Sequence, residues 1–268
     1  MAITLKTSMK WSAMQRYGEL LHVLVERNLK GRYRGSFLGV YWSLLNPLIM
    51  TGLYTAIFGA AFASYYHNST IDYILAAFTG LIVINFFNAS TTQALASVVV
   101  SGALLNKIQL PISIFPVSMI VSNTFQLAVG GLPLLALVTS ITSKNIVNIL
   151  ALLLPLIALI LACTGVGFIV STLYVFFRDL PYFYELVCFV VWIGSPVFYP
   201  AAIVPKAVQP FLFLNPLLPI IESVRQISLS GNFPDFGLIG QSWLSSVIIL
   251  VLGWSFFKVL RPQFMDLL

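Results

Sequence analysis

The segment ERNLKGRYRG at positions 26–35 runs directly into SFLGVYWSLLNPLIM at positions 36–50. Seven of the fourteen Lys and Arg residues precede position 35, and no charged residue lies between positions 37 and 63. Positive charge beside a long apolar run is typical of the cytoplasmic edge of a membrane-spanning helix. This boundary therefore predicts a membrane protein whose amino terminus stays in the cytoplasm.

The composition extends this prediction to the whole chain. Of its 268 residues, 59% are hydrophobic and only 8% are charged, whereas soluble domains carry about 25% charged residues. So few charges could not cover the surface of a soluble protein of this size. The basic residues behind the net charge of +6 are therefore expected to lie beside the lipid bilayer, where Lys and Arg set orientation and meet anionic lipids. They are not expected to bind nucleic acid.

Uncharged runs predict an all-α integral membrane protein with six transmembrane helices. A hydrocarbon core of about 30 Å requires about 20 helical residues. The predicted spans are 37–63, 73–98, 113–140, 146–175, 182–200 and 241–260. With the amino terminus inside, the inner segments hold eleven basic residues and the outer segments hold three. Both termini are therefore predicted to be cytoplasmic.

The region 196–234 interrupts this pattern, because it contains seven of the fourteen prolines. Its apolar piece 207–221 includes three of them and is too short to cross a bilayer comfortably. Broken backbone is tolerated at membrane depth where protein satisfies its polar groups. We therefore predict proline-broken re-entrant or outer helices between spans five and six.

A helix-prone segment precedes the first span. Apolar residues recur at helical spacing from Trp11 to Leu29, and charged residues occupy the positions between them. This pattern predicts an amphipathic helix in the inner membrane interface. The chain is accordingly divided into a cytoplasmic interface helix at 1–36 and a six-span transmembrane part at 37–268, which together form one domain.

The chain lacks the constellations that catalysis in a membrane requires. Its eight acidic and two histidine residues are dispersed without an HxxxH or DxxD pair, and the nucleotide-binding signature GxxxxGK[ST] is absent. Ion-coupled carriers place ionisable residues in mid-span, whereas the predicted spans carry none near their centres. We therefore predict no catalytic residue, no metal site and an energy source outside this polypeptide.

Five motifs, in order along the chain, are similar to those of one transporter family. They are NLKGRYRGSFLG at 28–39 with Trp42, Asn46 and Pro47, LNKIQLPISIFP at 105–116, YVFFRDL at 174–180, SPVFY at 195–199 and LNPLLP at 214–219. In these motifs the chain resembles the permease subunits of polysaccharide-exporting ABC transporters. That family comprises the O-antigen exporters, with capsule and teichoic-acid exporters as relatives.

The resemblance implies a homodimer of this chain with two separate ATPase subunits. Those subunits would bind ATP and Mg, so that this chain needs no cofactor of its own. The implied cargo is an O-antigen-like polysaccharide on undecaprenyl pyrophosphate, moved outward across the bacterial inner membrane. The implied coupling residues, on the loop 102–111 and on the turn after span four, are Leu104, Leu105, Lys107, Leu110, Pro111, Arg178 and Asp179. From the residues alone, both segments are equally well explained as tight inner turns.

The resemblance also places the pyrophosphate head group near the interface helix. The basic residues there that have the charge such a group requires are Arg27, Lys30, Arg32 and Arg34. The alternative role of these four residues is to set the orientation of the chain in the membrane.

A glycan path needs aromatic rings for sugar faces and polar groups for sugar hydroxyls. The channel candidates on and near the first two spans are Tyr33, Trp42, Tyr54, Phe86, Phe87 and Asn88. Asn88 belongs to a polar run at 85–93, which is expected to face protein or a lumen because polar groups are unfavourable in lipid. The alternatives are core packing for the rings and helix–helix hydrogen bonds for the polar run.

Two other functions stay open at this point. The same architecture could export a different cargo, such as teichoic acid, capsule polysaccharide or a drug. A membrane-embedded enzyme acting on lipid-linked sugars is the alternative from another class, and the dispersed acids argue against it. The chain is therefore predicted to be a transport subunit and not an enzyme.

Overall fold

The computed structural model describes residues 13–66, 69–105, 107, 110–213 and 215–267. Within these residues the protein is built from helices, and no β-strand is present. Its α-helices are α1 (Ala13–Tyr33), α2 (Trp42–Phe62), α3 (Thr70–Val100), α4 (Gly102–Leu105), α5 (Ile114–Gln126), α6 (Leu132–Thr142), α7 (Ile146–Ala151), α8 (Leu153–Phe176), α9 (Leu180–Gly194), α10 (Gln209–Phe213), α11 (Leu217–Leu229), α12 (Phe236–Leu260) and α13 (Phe264–Leu267).

Five helical stretches in the described residues are long and apolar enough to cross a bilayer. Two of them combine consecutive helices, because a π-helical turn at Leu127–Gly131 joins α5 to α6 and Leu152 alone separates α7 from α8. The five stretches are Leu45–Tyr65, Thr70–Val100, Ile114–Thr142, Ile146–Phe176 and Phe236–Gln263. The prediction of an all-α integral membrane protein is thereby confirmed.

The remaining predicted span, 182–200, corresponds to the shorter apolar helix α9. This helix has 15 residues and is therefore about 22 Å long, less than the hydrocarbon thickness of about 30 Å. It ends at Gly194 because Pro196 disfavours helical backbone at Ser195, which is extended with ψ of 134°. The total of six spans therefore stays a prediction.

Helix α1 packs against α5 near one end of the bundle. Leu24 is buried in a hydrophobic cluster with Ile114 and Phe115, and Tyr17 packs against the same cluster. The first twelve positions of the predicted interface helix lie outside the described residues. The division of the chain at position 36 stays a prediction.

Helices α3 and α8 form the centre of the bundle. They pack against each other, and α3 also contacts α2, α5, α9 and α11. The main hydrophobic cluster includes Val83, Ile84, Leu159, Ile220 and Val224, which are all fully buried. Helices α2, α9 and α12 present exposed apolar residues instead, as expected where helices face lipid or another subunit.

Helices α8 and α12 cross with their backbones in close approach. A β-carbon added to Gly165 would lie 2.5 Å from the carbonyl oxygen of Ile249, and one added to Gly253 would overlap the carbonyl group of Gly165. Ser242 and Ser246 on α12 are buried. Small residues at helix crossings let backbones approach closely in membranes, so this crossing depends on two glycines.

Short helices broken by proline follow α9, as predicted. Arg225 on α11 donates hydrogen bonds to the carbonyl oxygens of Pro196 at 2.9 Å and of Ala76 on α3 at 3.3 Å. The Tyr73 hydroxyl donates to the carbonyl oxygen of Phe198 at 3.1 Å. Arg225 and Tyr73 thereby satisfy the carbonyl groups of Pro196 and Phe198, which lie in the broken backbone after α9. The segment after α9 is thus fixed to α3 and α11.

Candidate functional site

A cavity of about 450 Å³ lies where the end of α1 meets α2, α3 and α5. The chain turns after α1 at Gly35, whose φ of +76° is a left-handed conformation that favours glycine. The π-helical turn Leu127–Gly131 contributes its first and last residues to the cavity wall. Such turns are frequent at functional sites. The polar and aromatic residues of the wall are Arg32, Tyr33, Ser36, Trp42, Asn46, Asn85, Phe86, Asn123 and Gln126.

The guanidinium group of Arg32 is held by three side-chain amides. Its Nη1 donates to Oδ1 of Asn123 at 3.1 Å and to Oε1 of Gln126, and its Nη2 donates to Oε1 of Gln93. The amide of Asn123 also donates to Oε1 of Gln93 at 3.0 Å, and the amide of Gln126 donates to the hydroxyl of Tyr33. These bonds connect the end of α1 to α3 and to α5.

The contacts of Arg32 do not neutralise its charge. In the described part of the chain, the salt bridge formed is Lys30–Glu26 at 2.5 Å, and no carboxylate oxygen lies within 4.0 Å of Arg32. Burial lowers the pKa of Arg32, yet an arginine side chain remains protonated in proteins. Burial also raises the pKa of Tyr33, which keeps its hydroxyl neutral. The cavity wall therefore carries one positive charge and is suited to an anion.

The other three predicted head-group residues lie outside this cavity. Arg27, Lys30 and Arg34 are exposed, and none of them lines the cavity wall. Lys30 forms its ion pair with Glu26, one helical turn earlier, and this pair lowers the pKa of the Glu26 carboxyl. The structure thus brings one of the four basic residues into a pocket and leaves three at the surface.

The six channel candidates are distributed over four locations. Three of them, Tyr33, Trp42 and Phe86, line the cavity beside Arg32. Phe87 is buried in the main hydrophobic cluster, whereas Asn88 is half-buried and lines neither cavity. The remaining candidate, Tyr54, belongs to a second and more apolar cavity.

This second cavity has a volume of about 280 Å³ and is lined by aromatic side chains of α2, α9 and the segment after α9. The rings of Tyr54 and Phe198 stack with centroids 3.7 Å apart, and Trp192 lies 5.3 Å from Phe198. Tyr199 also contributes to the wall. The motif at 195–199 did not predict a cavity residue, because a sequence motif alone does not reveal which helix its side chains contact.

The two predicted coupling segments lie at the same end of the bundle. Leu105 of α4 is buried, and Leu104, Leu110 and Phe176 pack against the same hydrophobic cluster. That cluster also contains Phe264 of α13. Positions 106, 108 and 109 of the predicted coupling loop lie outside the described residues.

The charged residues of the coupling segments are at the surface. Lys107, Arg178 and Asp179 are exposed, and Pro111 is half-buried. Arg178 donates from Nη2 to the carbonyl oxygen of Leu267 at 2.9 Å, which ties the turn after α8 to α13. The segments thus combine an apolar side packed on the bundle with charged groups that a partner can reach.

Comparison with known proteins identifies the family of this chain. The sequence profile of the ABC-2 type transporter family matches residues 19–229, which include both cavities and both coupling segments. The chain belongs to the ABC-2 type transporter family. It is therefore the permease subunit type of an ABC transporter and a multi-pass membrane protein.

Three known proteins are similar to this ABC-2 permease over almost its whole length. Two are O-antigen export system permease proteins RfbA of Klebsiella pneumoniae, 29% and 28% identical, and each comparison covers 93% of this chain and 95% of the relative. The third is the O-antigen export system permease protein RfbA of Myxococcus xanthus, 28% identical over 94% of this chain and 96% of the relative. The resemblance to O-antigen exporters drawn from the motifs is confirmed by these similarities.

Sequence reasoning missed two of the amides that hold Arg32 in this ABC-2 permease. Asn123 and Gln126 are three positions apart on α5, so they share a helix face. Polar side chains are unfavourable in lipid unless they meet protein or water. The same criterion that drew attention to the polar run 85–93 could therefore have identified them.

Proposed function

We propose that this chain is the membrane subunit of an ATP-driven exporter that moves lipid-linked, O-antigen-like polysaccharide outward across the bacterial inner membrane. The observation that carries the proposal is the similarity, over 93–94% of the chain, to three permeases named for O-antigen export. The cavity beside Arg32 supports the cargo, because it offers one cation for a phosphate together with aromatic and amide groups for sugar.

The proposed transporter contains two copies of this chain and two ATPase subunits, which bind ATP and Mg. Exposed apolar faces on α2, α9 and α12 are compatible with a dimer in lipid. In this arrangement both termini are cytoplasmic, and α1 lies in the inner membrane interface near the arriving cargo. We propose that the undecaprenyl pyrophosphate head group reaches the protein here, attracted by the exposed Arg27, Lys30 and Arg34 and received by Arg32.

Contact with the ATPase is proposed for α4 with the residues after it and for the turn after α8. The apolar residues of this surface, Leu104, Leu105 and Leu110, would anchor it to the bundle. The groups that would meet the ATPase are Lys107, Pro111, Arg178 and Asp179. Purification of the chain with an ATPase encoded beside it tests this arrangement: a 2:2 complex is expected, and a chain that never retains an ATPase would contradict it.

Reversing the charge of Lys107 is expected to uncouple the two subunits. Lys107 is exposed, so Lys107→Glu leaves the hydrophobic cluster intact and disturbs the contact with the ATPase. Stimulation of ATP hydrolysis by cargo is expected to fall about tenfold, equivalent to about 1.4 kcal/mol, with normal membrane insertion. The control is Lys258→Glu, an exposed charge reversal in the last turn of α12. Unchanged stimulation in Lys107→Glu would remove this residue from the contact.

Truncating Trp42 is expected to impair export more than assembly. Its ring lines the Arg32 cavity and is 53% exposed, so the folded bundle loses little contact when it is removed. Loss of a stacking surface for sugar is expected to reduce the rate of polymer export about fivefold to tenfold. The matched control is Phe236→Ala, since Phe236 is 76% exposed and lines neither cavity. Equal export by both variants would argue against a cargo-binding role for Trp42.

A further inference from the structure

The amides around Arg32 satisfy its hydrogen bonds but leave its charge uncompensated. Arg32 is half-buried, and an arginine that is withdrawn from water is usually compensated by a carboxylate. Here three neutral amides accept its hydrogen bonds, from α3 through Gln93 and from α5 through Asn123 and Gln126. Amide oxygens satisfy the geometry of the N–H donors without cancelling the charge. The site therefore fixes the guanidinium in place and keeps its full positive charge.

The charge of Arg32 lies at the wall of a cavity that is large enough for a small ligand. Arg32, Asn123 and Gln126 all line the cavity of about 450 Å³, a volume in the range of sites for small molecules. The other side chains of the wall are hydroxyl, amide, aromatic and aliphatic groups, so that none of the described residues lining it is acidic. The ion pair formed in the described part of the chain, Lys30–Glu26, joins two exposed side chains of α1. Among the described residues, Asn123 and Gln126 thus compete with an anion only as neutral acceptors, and no negative charge of the wall opposes it.

We propose that Gln93, Asn123 and Gln126 are positioning residues that hold Arg32 as an uncompensated cation for a phosphoryl anion. The side-chain amides can also turn and donate N–H groups to phosphate oxygens once an anion is bound. The shared ligand chemistry is that of pyrophosphate. Only the choice of the lipid head group as its source rests on the proposed function.

A single added charge tests this proposal. Gln126→Glu places a carboxylate at hydrogen-bond distance from Nη1, where it replaces a neutral acceptor by an ion pair. A purely structural role for Gln126 would survive this change or be strengthened by it. The proposed role would be lost, because the carboxylate neutralises Arg32 and repels phosphate.

The experiment measures binding and stability on the same samples. The full-length permease in lipid nanodiscs, without ATPase or ATP, is titrated with inorganic pyrophosphate and with undecaprenyl pyrophosphate by calorimetry. Gln126→Glu is expected to lower the affinity for both ligands at least tenfold, with an unchanged or higher melting temperature. The matched control is Gln263→Glu at an exposed position, with wild-type affinity expected.

A second variant covers the case in which Gln126→Glu does not fold. Gln93→Glu offers the same carboxylate to Nη2 from α3 and is expected to have the same effect on affinity. Binding within twofold of the wild type, in a folded Gln126→Glu or Gln93→Glu protein, would overturn the proposal.

The two ligands distinguish the source of the anion. Undecaprenyl pyrophosphate is expected to bind the wild type at least tenfold more tightly than inorganic pyrophosphate, since its chain is held by the bilayer. Equal affinities would overturn the lipid head group as the ligand. The binding assay contains no ATPase, so a negative result would contradict the anion site and leave the export function to be tested by a transport assay. Conversely, a failure of export would not prevent the measurement of anion binding.

Discussion

Replacing Gly253 by valine is expected to prevent the accumulation of folded protein. A β-carbon at this position would overlap the carbonyl group of Gly165 and lie 2.8 Å from its carbonyl carbon. The obstacle is backbone on the neighbouring helix α8, which cannot move aside as a flexible side chain would. Overpacking of a core typically destabilises by about 1–3 kcal/mol, and a backbone collision is expected to exceed that range. Gly165→Val is expected to have a similar effect, because its β-carbon would meet Ile249.

The measurement is the yield of monodisperse protein extracted from membranes, determined by size-exclusion chromatography. Gly240→Val is the matched control on α12, because no described atom outside the adjacent backbone of α12 lies within 4 Å of a β-carbon added there. That variant is expected to accumulate at the wild-type level. Normal yield of Gly253→Val would contradict the close crossing of α8 and α12.

Replacing Arg32 by glutamine is expected to reduce export about 30-fold while the protein still inserts into the membrane. Charge-assisted hydrogen bonds contribute about 1.5–3 kcal/mol, and a loss of about 2 kcal/mol corresponds to about 30-fold in rate. Arg32 lies on α1, before the first membrane-spanning stretch at Leu45–Tyr65. The amount of inserted protein should therefore change much less than export does.

Two further variants isolate the role of the guanidinium group. Arg32→Lys keeps the charge but cannot contact three amides in one plane, so that intermediate export is expected. Arg16→Gln removes an exposed charge from the same helix and is expected to export normally. Wild-type export by Arg32→Gln at equal protein level would exclude Arg32 from the recognition of cargo.

Most of the membrane-spanning architecture could be predicted from the sequence. The predicted spans 73–98 and 146–175 agree closely with the helical stretches Thr70–Val100 and Ile146–Phe176, because uncharged length is what the bilayer requires. The shortness of α9 could also have been anticipated from Pro196. The crossing of α8 and α12 could not, since a sequence does not state which glycines of two distant helices meet.

The candidate site was predictable only in part. Arg32 is five positions after Arg27, which separates their directions by about 140° around a helix, whereas Asn28 and Arg32 share a face. Asn28 indeed donates to the hydroxyl of Ser118 on α5 at 3.2 Å, beside the contacts of Arg32. Helical spacing could thus have separated Arg32 from Arg27 and Lys30. The identity of its three amide partners depends on how α1, α3 and α5 pack, which no local pattern encodes.

The most direct test is transport in a purified system. Proteoliposomes containing the permease and its ATPase, loaded on the ATPase side with undecaprenyl-pyrophosphate-linked polysaccharide, are assayed for polymer that becomes accessible on the opposite side. We expect appearance of the lipid-linked polymer that requires ATP hydrolysis, and no appearance with the permease alone. Polymer that never crosses in the presence of ATP, or that crosses equally without the ATPase, would contradict the proposed export function.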